Sequence, residues 1–124
     1  FVTPAQATKK HSSVGDIEAT DPVSWADEER DISAWLGNDL QNDAFGKLYD
    51  LIENLSIAND EGLWSDFGHL SESDHLYYMC TKFFSDGAVH SYFNPYDTPY
   101  EAFINYMNVL SDFSLRVKEK VKLK

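Results

Sequence analysis

The chain has 124 residues, 43% hydrophobic and 15% aromatic, with 10 Lys+Arg against 21 Asp+Glu for a net charge of −11. Eighteen aromatic rings can build a core, so wholesale disorder is excluded. The acidity argues against a nucleic-acid backbone or an anionic membrane as partner, since both demand positive charge. The single cysteine, Cys80, rules out an internal disulfide, and no apolar run approaches the roughly 20 residues that span a bilayer. The charge is uneven. Between His11 and Leu115 the only cations are Arg30, Lys47 and Lys82, against twenty carboxylates. Five cations then crowd the C-terminal tail, from Arg116 to Lys124. In the last turns of a helix they would offset its dipole and soften repulsion from the acidic body.

Residues 1–23 show little periodicity and read as an irregular connector. Phe1-Val2-Thr3 suggests the end of a strand, Gln6 to Lys10 a helical turn, and Ser12 to Gly15 and Thr20-Asp21-Pro22 loops. Ser24-Trp25-Ala26-Asp27 has the spacing of an N-cap with an acid at the third helical position. It predicts a short helix over 24–35, stopped by Gly37. Asn38 followed by Gln41 is a second capping pair. Leu40, Ala44, Leu48, Leu51, Ile52 and Leu55 then make an apolar stripe, widened by Phe45 and Tyr49, that predicts one helix over 39–58. Asn59-Asp60 ends it.

Leu63, Trp64 and Phe67 suggest a short helix, with Trp64 in the core. Ser71 and Asp74 cap another, whose apolar positions run from Leu76 to Phe84. Residues 89–97 are an aromatic loop. Thr98-Pro99-Tyr100-Glu101 combines a cap, a proline at the first helical position and a capping-box acid. Phe103, Tyr106, Met107, Leu110, Phe113, Val117 and Val121 follow at spacings of 3 or 4, the mark of a long terminal helix. The expected fold is all-α: a bundle of about four to five helices over 24–124 behind the connector 1–23.

Chemistry is sparse. His69, His75 and His90 lack metal-ligand spacing and no cysteine pair exists, so no metal and no cofactor is expected. Cys80, beside Met79 and Phe83, reads as a buried inert thiol. Asp27 and Asp31 stand at i, i+4, where like charges repel unless a ligand, Arg30 or a neighbouring domain compensates. Two catalytic carboxylates of a retaining glycosidase would need a separation near ~5.5 Å, which spacing cannot establish. Trp25 and Trp35 flank these acids. Indole faces beside carboxylates and amides suit sugar rings, and core packing suits them equally well.

The segment 24–38, Ser-Trp-Ala-Asp-Glu-Glu-Arg-Asp-Ile-Ser-Ala-Trp-Leu-Gly-Asn, followed by Leu40-Gln41, resembles the last signature of glycoside hydrolase family 57, and most closely its α-amylase-like members. The stretch 73–82 is similar to a helix of that family's C-terminal bundle, and 90–107 to its following loop and final helix. Phe1 to Pro4 resembles the exit from the last barrel strand. Residues 57–70 match nothing in the pattern. The resemblance implies an incomplete (β/α)7 barrel followed by a helical bundle, cleaving or transferring α-glucosidic linkages with retention. It places the Glu nucleophile and Asp acid/base in the barrel, upstream of Phe1, so this chain would hold no catalytic residue and be inactive alone. Trp25, Asp27, Asp31, Trp35 and Asn38 would line the α-glucan cleft. The implied partner is the barrel of the same polypeptide, with a possible homodimer of the fragment, in the cytoplasm. The chain's start at Phe1 fits an excised segment. The alternative is a stand-alone acidic helical module docking on a basic partner.

Overall fold

The computed structural model describes residues 1–25, 29–82 and 94–123. Among these the chain is all-α, with no strand. The helices are α1 (Pro4–Lys10), α2 (Ser33–Leu36), α3 (Asp39–Tyr49), α4 (Ile52–Ala58), α5 (Glu61–Leu70), α6 (Ser73–Tyr78) and α7 (Pro99–Lys122). No described helix is long and apolar enough to cross a membrane.

The spine is α7. Thr98 caps it by accepting from the Glu101 N–H at 3.1 Å, with Pro99 in the first turn. The Glu101 carboxylate reaches one residue further back than a capping box requires, accepting from the Asp97 N–H at 3.1 Å. Ala102, Tyr106, Leu110, Phe113 and Val117 are buried along one face, a 4-4-3-4 spacing that keeps to one side of the helix. That face packs along α3 and α4 and also meets α5 and α6. Burying a large apolar side chain contributes roughly 1.5–3 kcal/mol, and Phe113, Leu55, Met79 and Val117 are all essentially fully buried. The cations at the end of α7 pair outward: Arg116 with Asp66 at 2.7 Å and Asp112 at 3.2 Å, and Lys120 with Asp60 at 2.7 Å. The basic tail is thus tied to the N-cap and to the middle of α5. The Lys120 contact and the Leu63 N–H hold the Asp60 carboxyl below its usual range.

The predicted single helix over 39–58 divides at Asp50 and Leu51. The Asp50 N–H keeps an i−4 bond to Gly46, but the Leu51 N–H turns to Leu48, three residues back. This one tightened turn keeps Leu48, Leu51 and Leu55 all buried. Asn59 ends α4 in the left-handed region at φ 43°, and Asp60 starts α5 by accepting from the Leu63 N–H. Three local expectations fail. Ser71 closes α5 instead of opening α6, its hydroxyl donating to the Gly68 carbonyl. Trp64 is 39% exposed on the outer face of α5, because Leu63 and Leu70 take the core positions. Helix α6 stops at Tyr78; Phe83 and Phe84 lie outside the described residues.

Residues 1–23 form no strand. Thr3 caps α1 through a full capping box with Gln6, but α1 has no buried residue. Phe1, Val2, Val14, Ile17 and Val23 all stand exposed.

Candidate functional site

The segment 24–38 forms a strap followed by a short helix. The helix predicted over 24–35 is replaced, among the described residues, by α2 alone. Ser24 spends its polar groups across the strap: its N–H donates to the Arg30 carbonyl at 2.8 Å and its hydroxyl to the Asp31 carbonyl at 2.5 Å. The Arg30 guanidinium donates to the Trp25 carbonyl at 3.3 Å, and Arg30 sits at φ 55°, a conformation a right-handed helix cannot include. Asp31 therefore stands ahead of α2, outside the described helices. Asp27 lies outside the described residues.

Asp31 has a defined task. Its Oδ1 accepts from both the N–H and the hydroxyl of Ser33 at the mouth of α2. These two bonds, hydroxyl first, hold its carboxyl below the usual range; Lys82 adds a weaker pull. Lys82 donates to the Ser33 hydroxyl at 2.5 Å and pairs with Glu29 at 3.2 Å. The strap is thereby pinned to the chain just beyond α6.

Gly37 ends α2 with ordinary dihedrals. Glycine is required there by proximity: a Cβ would stand 2.1 Å from the Ser33 carbonyl oxygen. Asn38 then caps α3. Its Oδ1 accepts from the Gln41 N–H at 3.0 Å, while its amide donates to the Met79 carbonyl at 2.9 Å and reaches the Thr81 hydroxyl at 3.4 Å. Gln41 is fully buried. Its Oε1 accepts from the N–H groups of Gly37 and Asn38, and its Nε2 donates to the carbonyls of Ala34 and Leu76. All four hydrogen-bonding positions of this amide are used, so one side chain ties α2, α3 and α6 together.

The indoles divide. Trp25 is 78% exposed on the strap. Trp35 is half-buried, its ring 5.7 Å from that of Tyr77. It walls a cleft of about 250 Å³ with Ile32, Phe45 and Tyr49; Leu48, Leu70 and Tyr106 also line it, and Ser71, Glu72 and Ser73 line its α5–α6 side. Tyr49 extends the aromatic surface, its ring 4.3 Å from Phe45 and 5.7 Å from Phe67. The Tyr106 hydroxyl donates to the Leu70 carbonyl at 2.8 Å, and burial pushes its pKa up to about 12. The structure thus brings Asp31, Trp35 and Asn38 into one region and leaves Trp25 standing free of the bundle.

Two features went unread in the sequence. Gln41 was visible as a capping residue but not as a buried node. The signal was its place at the head of the true buried row, Gln41, Ala44, Leu48, Leu51 and Leu55, spaced 3-4-3-4. Tyr49 counted as stripe width, yet at 40% exposure it is a cleft wall. Among the described residues no group of three or more His, Cys, Asp or Glu is placed to hold a metal ion.

The chain is similar to a protein of Methanocaldococcus jannaschii named "Putative alpha-amylase", at 40% identity over 105 residues. The match covers 78% of this chain but 22% of that protein, so the chain spans about a fifth of its relative's length. No family model matches the chain, and no solved structure matches it.

Proposed function

We propose that this chain is the C-terminal helical part of a retaining α-glucan hydrolase of the α-amylase type, in glycoside hydrolase family 57. The 40% identity to the archaeal protein, carried through most of the chain, is the observation that supports this reading most. In it the Trp25–Asn38 segment faces the glucan. Trp25 and Trp35 offer the ring faces, and the acids of the strap, Asp27 among them, accept hydroxyl hydrogen bonds. Asp31 acts mainly by holding the start of α2 through Ser33, and Asn38 by tying the segment to Met79 at the end of α6, because their side chains are already engaged there. The catalytic Glu and Asp belong to a barrel preceding Phe1, residues 1–23 are the connector to it, and the exposed apolar side chains of that stretch meet it. The protein works in the cytoplasm.

The test is starch cleavage by two proteins: this chain, and the product of the reading frame continued upstream of Phe1. The longer product is expected to release reducing ends from soluble starch and the 124-residue chain to release none. Turnover by the chain alone, or a reading frame that stops short of a barrel, overturns the proposal.

A further inference from the structure

We propose that the outer face of α7 is a self-association surface, on which a second copy of this chain lays its own α7 antiparallel to the first, about a two-fold axis near Ser111. This face is not the one that holds the bundle together. The buried residues of α7, from Ala102 to Val117, keep to one side of the helix. Tyr100, Ile104, Met107, Ser111, Leu115 and Lys118 follow a second row at spacings of 4, 3, 4, 4 and 3, which stays on another side. Tyr100, Ile104 and Leu115 are each more than half exposed along it. Three large apolar side chains aligned on one helix face mark a surface made to be covered.

Shape supports this. A groove of about 540 Å³ runs beside the row, between α7 and the α3–α4 junction. Leu51, Met107 and Leu110 form its apolar base, and Leu115 and Lys118 stand at its rim. In an antiparallel register centred on Ser111, Leu115 of the other copy faces Met107 and Ile104 of the other copy faces Lys118. The contact is isologous, so each groove receives the other copy's apolar side chains at the same time. Ser111 meets its own counterpart on the axis, where a small residue lets two helices approach. The Lys118 stem can cover Ile104 while its ammonium stays in water. At 24 residues, roughly 36 Å, α7 is long enough to carry the whole row.

Charge selects both the partner and the direction. Helix α7 begins among acids, Asp97 and Glu101, and ends among cations. Arg116 and Lys120 are already paired with Asp66, Asp112 and Asp60. Among the described residues, Lys118 and Lys122 have no ion pair, and neither have Asp97 and Glu101. The antiparallel register sets Lys122 of one copy beside Tyr100 and Glu101 of the other. Parallel pairing would bring cations against cations and acids against acids, which is repulsive at both ends. An acidic partner would be repelled at the start of α7 and a basic one at its end. A second copy supplies both signs in the reverse order.

Sedimentation equilibrium of the 124-residue chain, from micromolar to millimolar concentration, tests this directly. A mass rising from 14.2 kDa toward twice that value is expected. Leu115→Glu is expected to weaken association by at least about tenfold. Val109→Glu changes an exposed residue on the opposite side of α7 and should leave association unchanged; native amide dispersion shows that each variant folds. Oxidative cross-linking reads the direction. Ser111→Cys should couple to itself, whereas Lys122→Cys should couple to Tyr100→Cys in a mixture but not to itself. The parent, whose Cys80 is buried, should stay uncoupled. A single-chain mass at every concentration overturns the proposal, as does association indifferent to Leu115→Glu. Self-coupling of Lys122→Cys as ready as that of Ser111→Cys overturns it too, because it means parallel or unspecific pairing. If Leu115→Glu leaves the mass of this chain unchanged but destabilises the longer product, the face belongs to the barrel and the proposal fails. Starch cleavage by the longer product is independent of all these outcomes.

Discussion

Two capping boxes with the same local chemistry stand in this chain, and they do different things. At Thr3 and Gln6, the cap oxygen accepts from the third helical N–H and the Gln side chain answers to the cap's own N–H. At Asn38 and Gln41 the pattern repeats. The first box opens a helix that buries nothing. The second opens α3, and its Gln41 goes on to bind the carbonyls of Ala34 and Leu76 from a fully buried position. A cap stabilises a helix start by about 1 kcal/mol wherever it occurs. It becomes tertiary structure only when the leftover valences of its side chains are spent on other elements.

Breaking the buried box should give the largest effect. Gln41→Leu keeps the approximate volume but strands two carbonyls and two N–H groups in or near the core. At ~1–3 kcal/mol for each unsatisfied buried group, a loss above about 3 kcal/mol is expected in urea unfolding. Asn38→Ala removes the cap and the tether to Met79 while leaving Gln41 in place; about 1–2 kcal/mol is expected in the same measurement.

Tyr106→Phe, which orphans the Leu70 carbonyl, should cost about 1 kcal/mol at neutral pH. It also has a pH signature. The folded-state pKa is raised from 10 to about 12, so the folded chain keeps a proton that the unfolded chain gives up. The associated stability is complete below pH 10 and is lost as pH rises toward 12. The Phe variant should lose that part of the alkaline dependence. Smallest of all, Thr3→Ala should leave the melting transition of the bundle unchanged and reduce only the helical signal of α1, read as amide shifts at residues 4–10. A fall in the bundle's melting temperature would mean that the two boxes are not as different as their burial indicates.

Much of the bundle was legible because its signals are local or periodic. Thr98-Pro99, Asn38-Gln41 and the 3-4 spacing through α7 each name their own helix. The failures share a cause. Ser24 looks like a helix cap by spacing, but its hydrogen bonds go to Arg30 and Asp31, and the left-handed Arg30 has no sequence signature. Trp64 looks like core by composition, yet burial depends on which face of α5 meets α7. The break at Asp50–Leu51 carries neither Gly nor Pro. For the candidate site, the sequence exposed the segment and its indoles. It could not show that Asn38 and Asp31 are occupied in holding that segment, nor that Tyr49 faces Trp35's cleft, because both depend on where α6 and α5 come to rest.

The proposed role, service to an α-glucan hydrolase through the segment that carries Trp35, can be read in a single rate constant. The most direct measurement is kcat/KM on soluble starch for the longer gene product, with and without Trp35→Ala. Measurable cleavage by the parent and a loss of about tenfold or more in the variant are expected, with α7 and the Gln41 node intact by amide shifts. Absence of α-glucan cleavage by the longer product, or cleavage indifferent to Trp35, would contradict it.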